Sequence, residues 1–385
     1  MTKGAIVAEV NIYDGAIDKG LEGVVACTTA ISSIVGATLN FRGYTIEDLA
    51  KHSSFEEVSF LLWNSRLPNQ KELADFSQAL SSHMVLSPEL LAVLKTLPTK
   101  DVHPMAWLRT AVSILSQFDK DANDMSEAAN QRKALGLTAK MGSLVCAFAA
   151  FRAGKAPTAP VAGKSVAWNF MYMLNGKEPD PELVKVFDTC LVLHADHELN
   201  CSAFATRVTA SSLSDLHSAI VSAIGALKGP LHGGANEQVM LMLKKIGNIE
   251  NARQFVIDAL ASREKVMGIG HRVYKNGDPR ALILRNMSQQ LTKKIGEPHW
   301  YEMSTLIDDT MQKEKGLLPN VDFYSATVYY SLGIPIDLYT PIFATSRVAG
   351  WCVHAFEQYA NNRIYRPRSK WQGKEGLTWV PVSQR

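Results

Sequence analysis

The sequence predicts an all-α protein, with a large helical domain, a smaller helical domain and a short N-terminal β-hairpin. Three observations support this fold class. Apolar residues recur with helical spacing along most of the chain after residue 44. Proline and glycine interrupt that pattern at short intervals, as they do between helices that short loops connect. Hydrophobic residues make up 46% of the 385 residues and charged residues 20%, which is typical of a packed globular protein and excludes a disordered chain.

The hairpin is predicted within residues 23–41, the longest stretch without a charged side chain. Its length approaches that of a membrane-spanning helix. The stretch is nevertheless rich in threonine, serine and glycine, and its β-branched residues alternate, which favours a short hairpin. Little other strand signal is found in the sequence.

Helices follow the hairpin. Thr45 can cap the first of them, because Asp48 stands three residues later. The periodicity and the breakers predict helices at 55–63, 70–82, 88–96, 104–117, 127–152, 164–174, 211–228, from about Asn236, at 249–263, at 279–295 and from Val321. We predict that residues 1–220 and 330–385 form the large domain and that 221–329 form the small one.

Charge and cysteine usage limit the class of protein. Lysine and arginine exceed aspartate and glutamate by only three, so the sequence makes no general electrostatic case for binding nucleic acid or an acidic membrane. The five cysteines are scattered and odd in number, which indicates free thiols in a reducing compartment. The first twenty residues contain Glu9, Asp14 and Asp18 and lack an apolar core. We therefore expect neither a secretory signal nor a transit peptide, and a cytoplasmic protein.

Three histidine segments are polar or glycine-rich: HADHELN (194–200), GPLHGGAN (229–236) and GIGHRVY (268–274). In the second, His232 stands just before a predicted helix start. The helix dipole there disfavours imidazolium and leaves a neutral histidine that can donate a hydrogen bond to developing negative charge. A capping or core histidine is the alternative.

His271 follows Gly268 and Gly270 and precedes Arg272 and Lys275. Two glycines before cationic residues suit a loop that approaches a phosphate or a polarised carbonyl group. The dinucleotide-binding fingerprint is incomplete, so a plain turn is the alternative.

His194, His197 and Cys201 are spaced to share one helical face, and all three are possible zinc ligands. A zinc-dependent hydrolase is therefore one alternative function, although no second ligand cluster is recognisable. Packing of a buried helical cysteine is the structural alternative.

Asp322 is flanked by apolar residues in LLPNVDFYSA, a setting that could desolvate its carboxylate and make it a stronger base. An N-cap role is the alternative. Arg280, Arg347 and Arg366 each stand near a predicted helix end or break. If the three converged they would suit a small dicarboxylate, whereas each alone reads as a surface residue.

Taken in order, these segments resemble the citrate synthase family. The motifs are HADHE, GPLHGGANE, GIGHRVYKNGDPRA, PNVDFYS, SRVAGW and RPRSKW, and the resemblance runs from GLEGVVACTTAISSI and NFRGYTIEDLA almost to the C-terminus. The 2-methylcitrate synthases share nearly all of them. The resemblance implies a two-domain, almost wholly helical homodimer that closes over oxaloacetate and acetyl-CoA or propionyl-CoA. It implies no metal and no tightly bound cofactor, because the coenzyme A thioester is a substrate.

The resemblance also implies roles for individual residues. Asp322 would remove a proton from the α-carbon of the thioester, and His232 would stabilise the resulting enol or enolate. His271 would polarise the keto group of oxaloacetate. Oxaloacetate would be held by His197, Arg280, Arg347 and Arg366, the last of which would reach into the partner subunit's site. The coenzyme A adenine loop would comprise Lys265, Val266, Met267, Gly268 and Ile269.

Two departures shape further expectations. The first family motif begins near residue 20, so we expect a dimer without the N-terminal extension and nicotinamide-nucleotide inhibition of the hexameric bacterial relatives. The parts of ATP-citrate lyase that couple cleavage to ATP are not found in the sequence. A non-catalytic helical interaction protein remains the second alternative function, beside the zinc hydrolase.

Overall fold

A computed structural model describes residues 16–271, 273–274 and 277–385. Arg272 and Lys275, the cationic residues after His271, lie outside the described residues. So do Glu9 and Asp14, on which the expectation about the N-terminus partly depends.

The N-terminal hairpin is present and gains a third strand. Strands β1 (Ser32–Val35), β2 (Thr38–Phe41) and β3 (Tyr44–Thr45) form one antiparallel sheet in the order β1-β2-β3. Ser32 pairs with Phe41 across the hairpin, and Phe41 pairs with Tyr44. The predicted hairpin is therefore confirmed, and the sheet ends where Thr45 begins the first helix.

Helices make up most of the remaining chain, which confirms the all-α fold class. In the first half they are α1 (Ile46–His52), α2 (Phe55–Asn64), α3 (Gln70–His83), α4 (Pro88–Lys95), α5 (Pro104–Leu115), α6 (Glu127–Arg152), α7 (Val166–Asn175), α8 (Pro181–His194) and α9 (Cys201–Ser211). Their starts follow ordinary capping chemistry. The Thr45 hydroxyl, for example, accepts a hydrogen bond from the Asp48 amide at 3.2 Å, as predicted.

The second half contains α10 (Leu216–Leu227), α11 (Ala235–Ile246), α12 (Ile249–Ala261), α13 (Pro279–Lys294), α14 (His299–Lys315), α15 (Val321–Ser331) and α16 (Tyr339–Ala360). The helix predicted over 211–228 is present as α10 but begins later than predicted, at Leu216. Leu213 has a left-handed backbone, with φ of 63°, and Asp215 caps a new helix by accepting from the Ser218 amide at 3.0 Å. The chain therefore breaks between α9 and α10, and the two helices pack against each other.

Residues 29–363 form one compact unit, and the ends, 16–28 with 364–385, form another. The predicted division of the chain at 221 and 329 stays a prediction. Within the larger unit, α16 packs against α6, α8, α9 and α10, and α15 packs against α11 and α13. Its fully buried side chains include Trp351 of α16 and Tyr329 of α15.

Helix α6 is long and apolar enough to cross a membrane, yet 67% of its apolar window is buried inside the protein. That burial is typical of the core helix of a globular fold. All five cysteines are free thiols, as predicted.

Candidate active site

His232 lies in the turn between α10 and α11, three residues before α11 begins. Its Nε2 accepts a hydrogen bond from the Ser202 amide at 3.2 Å and lies 2.8 Å from the Ser202 hydroxyl. Burial, reinforced by the positive charge of Arg347, lowers the pKa of His232 to about 3. The imidazole is therefore neutral, and its single proton is on Nδ1. This is the neutral donor that the sequence predicted, although burial rather than the helix dipole is the main cause.

His271 ends a tight turn in which Gly268 and Gly270 have φ of 75° and 87°. A side chain at Gly268 would come within 2.9 Å of the Phe323 backbone, so this turn requires glycine. The Nδ1 of His271 accepts hydrogen bonds from the Val273 and Tyr274 amides at 3.0 and 3.2 Å. Burial, followed by the charge of Arg280, lowers its pKa to about 4. His271 is thus neutral as well, with its proton on Nε2.

Asp322 lies in the first turn of α15, but it is not the N-cap. That role belongs to Asn320, whose side chain accepts from the Asp322 amide at 3.0 Å. The Asp322 carboxylate oxygen Oδ1 is shielded from solvent and has no hydrogen-bond partner among the described residues. Burial raises the pKa of this carboxyl to about 7. A desolvated carboxylate of this kind is a stronger base than an exposed one.

His197 lies in the irregular segment between α8 and α9. Its Nε2 is 3.1 Å from the Tyr274 hydroxyl, and its ring centroid is 5.2 Å from that of His271. Burial, followed by the charges of Arg280 and Arg347, holds the His197 pKa well below its usual range. The structure thus brings His197 and His271 together, although 74 residues separate them in the chain.

Arg280 and Arg347 are both buried, so the surface-residue alternative is wrong for these two. Arg280, in the first turn of α13, donates from Nε and Nη2 to the two carboxylate oxygens of Asp278 at 2.9 and 2.7 Å. Arg347 stands in the middle of α16 and not near a helix end, because α16 extends well past it. Its Nε donates to the His194 carbonyl oxygen at 2.6 Å, and its guanidinium lies 4.7 Å from the centre of the Phe343 ring.

Phe343 links Arg347 to His232, since its ring centroid is also 6.3 Å from that of His232. The charges of Arg280 and Arg347 both lower the Asp322 pKa against the effect of burial. Neutral histidines, a buried base and two buried cations therefore form one cluster of interacting side chains.

Arg366 belongs to the other compact unit, where it is exposed and outside any helix or strand. Its assignment stays a prediction. In the predicted adenine loop Lys265 is exposed, Val266 and Gly268 are buried, and Met267 and Ile269 are partly buried.

The zinc arrangement is wrong. Helix α8 ends at His194 and α9 begins at Cys201, so the two residues and His197 share no helical face. The Nδ1 of His194 is 2.7 Å from the Cys190 carbonyl oxygen, and Cys201 is exposed. No group of three or more potential ligands that could hold a metal ion occurs in the described part of the chain.

Sequence reasoning missed several residues that shape the site. Asp278 holds Arg280, Tyr274 contacts His197, and Ser202 fixes the tautomer of His232. Asp278 carried a detectable signal, because an aspartate directly before a proline is typical of a helix N-cap. Tyr274 and Ser202 carried none, since their partners lie 77 and 30 residues away.

Comparison with known proteins relates this geometry to one family. Residues 20–368 match the family model described as citrate synthase, C-terminal domain. The chain is 52% identical over 367 residues to citrate synthase 2 of Bacillus subtilis, covering 95% of this chain and 99% of that protein. It is 43% identical over 357 residues to the citrate/2-methylcitrate synthase of the same organism, covering 92% and 96%.

A solved structure is similar over nearly the whole chain. It is the ternary complex of carboxymethyl coenzyme A and oxaloacetate with citrate synthase from Thermoplasma acidophilum. The TM-score is 0.91 at 30% identity, and the match covers 96% of this chain and 100% of that one.

Proposed function

This chain belongs to the citrate synthase family, and we propose that it condenses acetyl-CoA with oxaloacetate and releases citrate and coenzyme A. The observation that carries the proposal is the cluster in which a buried Asp322 carboxylate, whose Oδ1 has no hydrogen-bond partner among the described residues, lies with neutral His232 and His271 and the buried cations Arg280 and Arg347. This combination suits removal of a proton from carbon beside a dicarboxylate site.

Oxaloacetate binding is assigned to the cationic half of the cluster. A guanidinium has five N–H donors in a planar fork that matches a carboxylate. Asp278 occupies only the Nε and Nη2 donors of Arg280, and His194 accepts from Nε of Arg347. The remaining edges can bind the two carboxylates, while His197 and the Nε2–H of His271 are oriented toward the keto group.

The thioester chemistry is assigned to the other half. Asp322 takes a proton from the methyl carbon of acetyl-CoA, and the electron pair of the broken C–H bond moves to the thioester oxygen. The Nδ1–H of His232 stabilises that oxygen by a hydrogen bond. A preorganised donor in a site closed to water can lower such a barrier by about 3 kcal/mol or more.

Carbon–carbon bond formation follows. The enolate carbon attacks the keto carbon of oxaloacetate, and the Nε2–H of His271 protonates the alkoxide that forms. The imidazolate left on His271 takes a proton back from the water that attacks next, and Asp322 passes the proton it removed to the leaving sulfur. Water then adds to the thioester carbonyl, the C–S bond breaks, and the sulfur leaves as coenzyme A thiol. The acyl group thus becomes an alkyl group on transfer, and each proton in the scheme is carried by a side chain or water without a metal ion.

A thiol-release assay with acetyl-CoA and oxaloacetate tests the proposal, with each substrate omitted in turn. Asp322→Asn, which keeps the size and polarity of the side chain but cannot accept the proton as a carboxylate, is the matched negative control. Release that depends on both substrates and is lost in the variant supports condensation. Release from acetyl-CoA alone would indicate a hydrolase instead.

We also propose activity with propionyl-CoA, giving 2-methylcitrate. One additional methylene changes discrimination by an apolar pocket by only about 1–3 kcal/mol. The relative that is named as both a citrate and a 2-methylcitrate synthase supports this range. Side-by-side turnover with the two thioesters tests it, and no detectable turnover with propionyl-CoA would refute dual activity while leaving the condensation intact.

We further propose that the protein is a homodimer and that it is cytoplasmic. In the proposed dimer, Arg366 acts in the partner subunit's site. Arg366→Ala and Asp322→Ala subunits, each inactive alone, should then regain about one quarter of wild-type activity when they are refolded together at random. Verified mixed dimers without recovered activity would exclude a role for Arg366 across the interface.

A further inference from the structure

Four hydrogen-bonded polar groups, Asp196, His354, Arg207 and Glu357, lead away from His197 in a line. None of the steps above uses them. Asp196, next to His197 in the segment between α8 and α9, is fully buried. Its Oδ1 accepts a hydrogen bond at 3.2 Å from Nε2 of His354, which is also fully buried on α16. Burial would raise the Asp196 pKa, but His354, Arg347 and Ser32 hold it below its usual range. Asp196 is therefore a buried carboxylate.

The line continues through Arg207 of α9 to Glu357 of α16. The Arg207 Nε donates to His354 Nδ1 at 3.0 Å, and its Nη2 forms an ion pair with the Glu357 carboxylate. Because an arginine can only donate, His354 Nδ1 must accept, so the proton of the imidazole is on Nε2 and points to Asp196. In this line each contact therefore fixes which atom of the next group donates and which accepts a hydrogen bond.

Packing around Asp196 leaves its segment little freedom. A Cβ at Gly350 of α16 would come within 2.5 Å of Asp196 Oδ1 and would also strike the Ala195 carbonyl oxygen. Ser32 donates to Asp196 Oδ2 and accepts from the Glu198 amide at 2.7 Å. Glu198 itself has a left-handed backbone, with φ of 48°. A residue other than glycine adopts that conformation only when its surroundings require it. His197 lies between Asp196 and Glu198 in the chain, and both of these residues are fixed in place.

We propose that His354, with Arg207 and Glu357 behind it, is a positioning residue for oxaloacetate: through Asp196 it sets the orientation of His197. The inference rests on the proposed contact between His197 and oxaloacetate. It predicts a change in oxaloacetate affinity separate from the thioester chemistry, because none of the four groups contacts Asp322 or His232. A buried carboxylate that loses a hydrogen-bond donor is strongly destabilised, so the Asp196 segment must rearrange when His354 cannot donate.

Two substitutions at His354 distinguish positioning from simple packing. His354→Leu fills similar space but neither donates nor accepts. His354→Gln can accept from Arg207 through its amide oxygen and donate to Asp196 through its amide nitrogen. We expect His354→Leu to raise the KM for oxaloacetate by about tenfold or more, with kcat and the KM for acetyl-CoA changed by less than about threefold. His354→Gln should restore the oxaloacetate KM to within about threefold of wild type.

Val353→Ala is the matched control, since Val353 is the neighbouring residue of α16, is 3% exposed and has an apolar side chain that makes no hydrogen bond. It should lower the melting temperature without changing the oxaloacetate KM. Equal impairment by His354→Leu and His354→Gln, or a rise with Val353→Ala as large as with His354→Leu, would overturn the proposal.

Two further variants keep the test decisive. If His354→Leu does not fold, Glu357→Gln, at the partly exposed end of the line, should raise the oxaloacetate KM by about two- to fivefold, and an unchanged KM would overturn the proposal. His197→Ala separates this inference from the function beneath it. An unchanged oxaloacetate KM in His197→Ala refutes the assigned contact of His197. A raised KM there with a normal KM in His354→Leu refutes only the positioning role.

Discussion

At one end of the cluster the Asp322 carboxylate is buried and its Oδ1 has no hydrogen-bond partner among the described residues, whereas at the other end Arg280 is held by both oxygens of Asp278. We call the first, with His232, the thioester end, and the second, with His197 and Arg347, the oxaloacetate end. Asp278 also accepts from the Val321 amide at 3.1 Å, so it supports the start of the helix that carries Asp322.

This difference follows from what each end is proposed to do. A group that takes up a proton must keep an unsatisfied atom, and burial then shifts its pKa toward neutrality. A group that only binds a charge works best when its geometry is set before the ligand arrives. The thioester end therefore gives up stability for reactivity. At the oxaloacetate end a buried carboxylate holds Arg280 and a backbone carbonyl holds Arg347.

The largest expected effect separates the two ends by activity. Asp322→Ala and His232→Ala should each lower kcat by about 10²–10⁴-fold, because they remove the base and the donor at the thioester oxygen. Oxaloacetate binding, measured by calorimetry, should be nearly unchanged in both. A comparable loss of oxaloacetate affinity in either variant would show that the two ends are not separable.

Stability should change in opposite directions at the two ends. Because burial raises the Asp322 pKa from 3.8 to about 7, an ionised carboxylate at pH 8 costs the folded state on the order of 2–4 kcal/mol, which Asp322→Asn should recover. Asp278→Asn should instead cost on the order of 3–5 kcal/mol, since it breaks a buried ion pair. Denaturant unfolding at pH 8 measures both.

The sign of the pH dependence gives a control for Asp322→Asn. A folded-state pKa above the unfolded value means that stability is present at low pH and lost as the pH rises toward about 7. The advantage of Asp322→Asn over wild type should therefore disappear near pH 4 and reach its full size above pH 7. An advantage that is equal at both pH values would point to packing instead of ionisation.

Oxaloacetate affinity should fall when a cation is removed. Arg347→Ala should weaken oxaloacetate binding by about 10–100-fold, because a carboxylate loses a charge-assisted partner in a buried site. Burial lowers the Arg347 pKa only to about 10, so the residue is still cationic at neutral pH. Calorimetry measures the change, and a normal affinity in Arg347→Ala would contradict its place at the oxaloacetate end.

The pH profile of kcat/KM for acetyl-CoA should have one acid limb. Activity should fall by about tenfold per pH unit below the Asp322 pKa of about 7, since the base must be ionised. The pKa values of His232 and His271, about 3 and about 4, leave both neutral throughout the working range. An acid limb with its midpoint near pH 4 would contradict the burial of the base.

The smallest expected effect concerns Tyr274. Tyr274→Phe removes the hydroxyl that lies 3.1 Å from His197 and should raise the KM for oxaloacetate by about three- to tenfold, with kcat nearly unchanged. Tyr330→Phe, whose lost hydroxyl bonds to Glu297 instead, is the matched control. Equal effects of the two variants would remove Tyr274 from the oxaloacetate end.

Much of the fold could be predicted because its signals are local. The Thr45 cap, the proline at the start of α4 and the apolar period of α5 each act within a few residues. The break at 212–215 was missed because serine, leucine and alanine continue a helical pattern on both sides of it. Asp215, which caps α10, was the local signal that the helix begins after the break.

The candidate site divides in the same way. The order of the histidine, aspartate and arginine motifs indicated which residues carry the chemistry, and the family resemblance indicated a role for each. The helical face assumed for His194 and Cys201 was wrong, because spacing alone cannot show that a helix ends between two residues. Arg347 was expected near a helix end, yet it is fully buried in the middle of α16.

The sequence by itself determined the fold class, most of the helices, the hairpin and the family, and it selected the candidate site residues, since all of these follow from short-range patterns and ordered motifs. Only the tertiary structure decided the states of those residues. The proton on Nδ1 of His232 depends on Ser202, the proton on Nε2 of His354 depends on Arg207, and the raised pKa of Asp322 depends on the surrounding packing. Protonation is set by the desolvation and charge around an atom, and those neighbours come from distant parts of the chain.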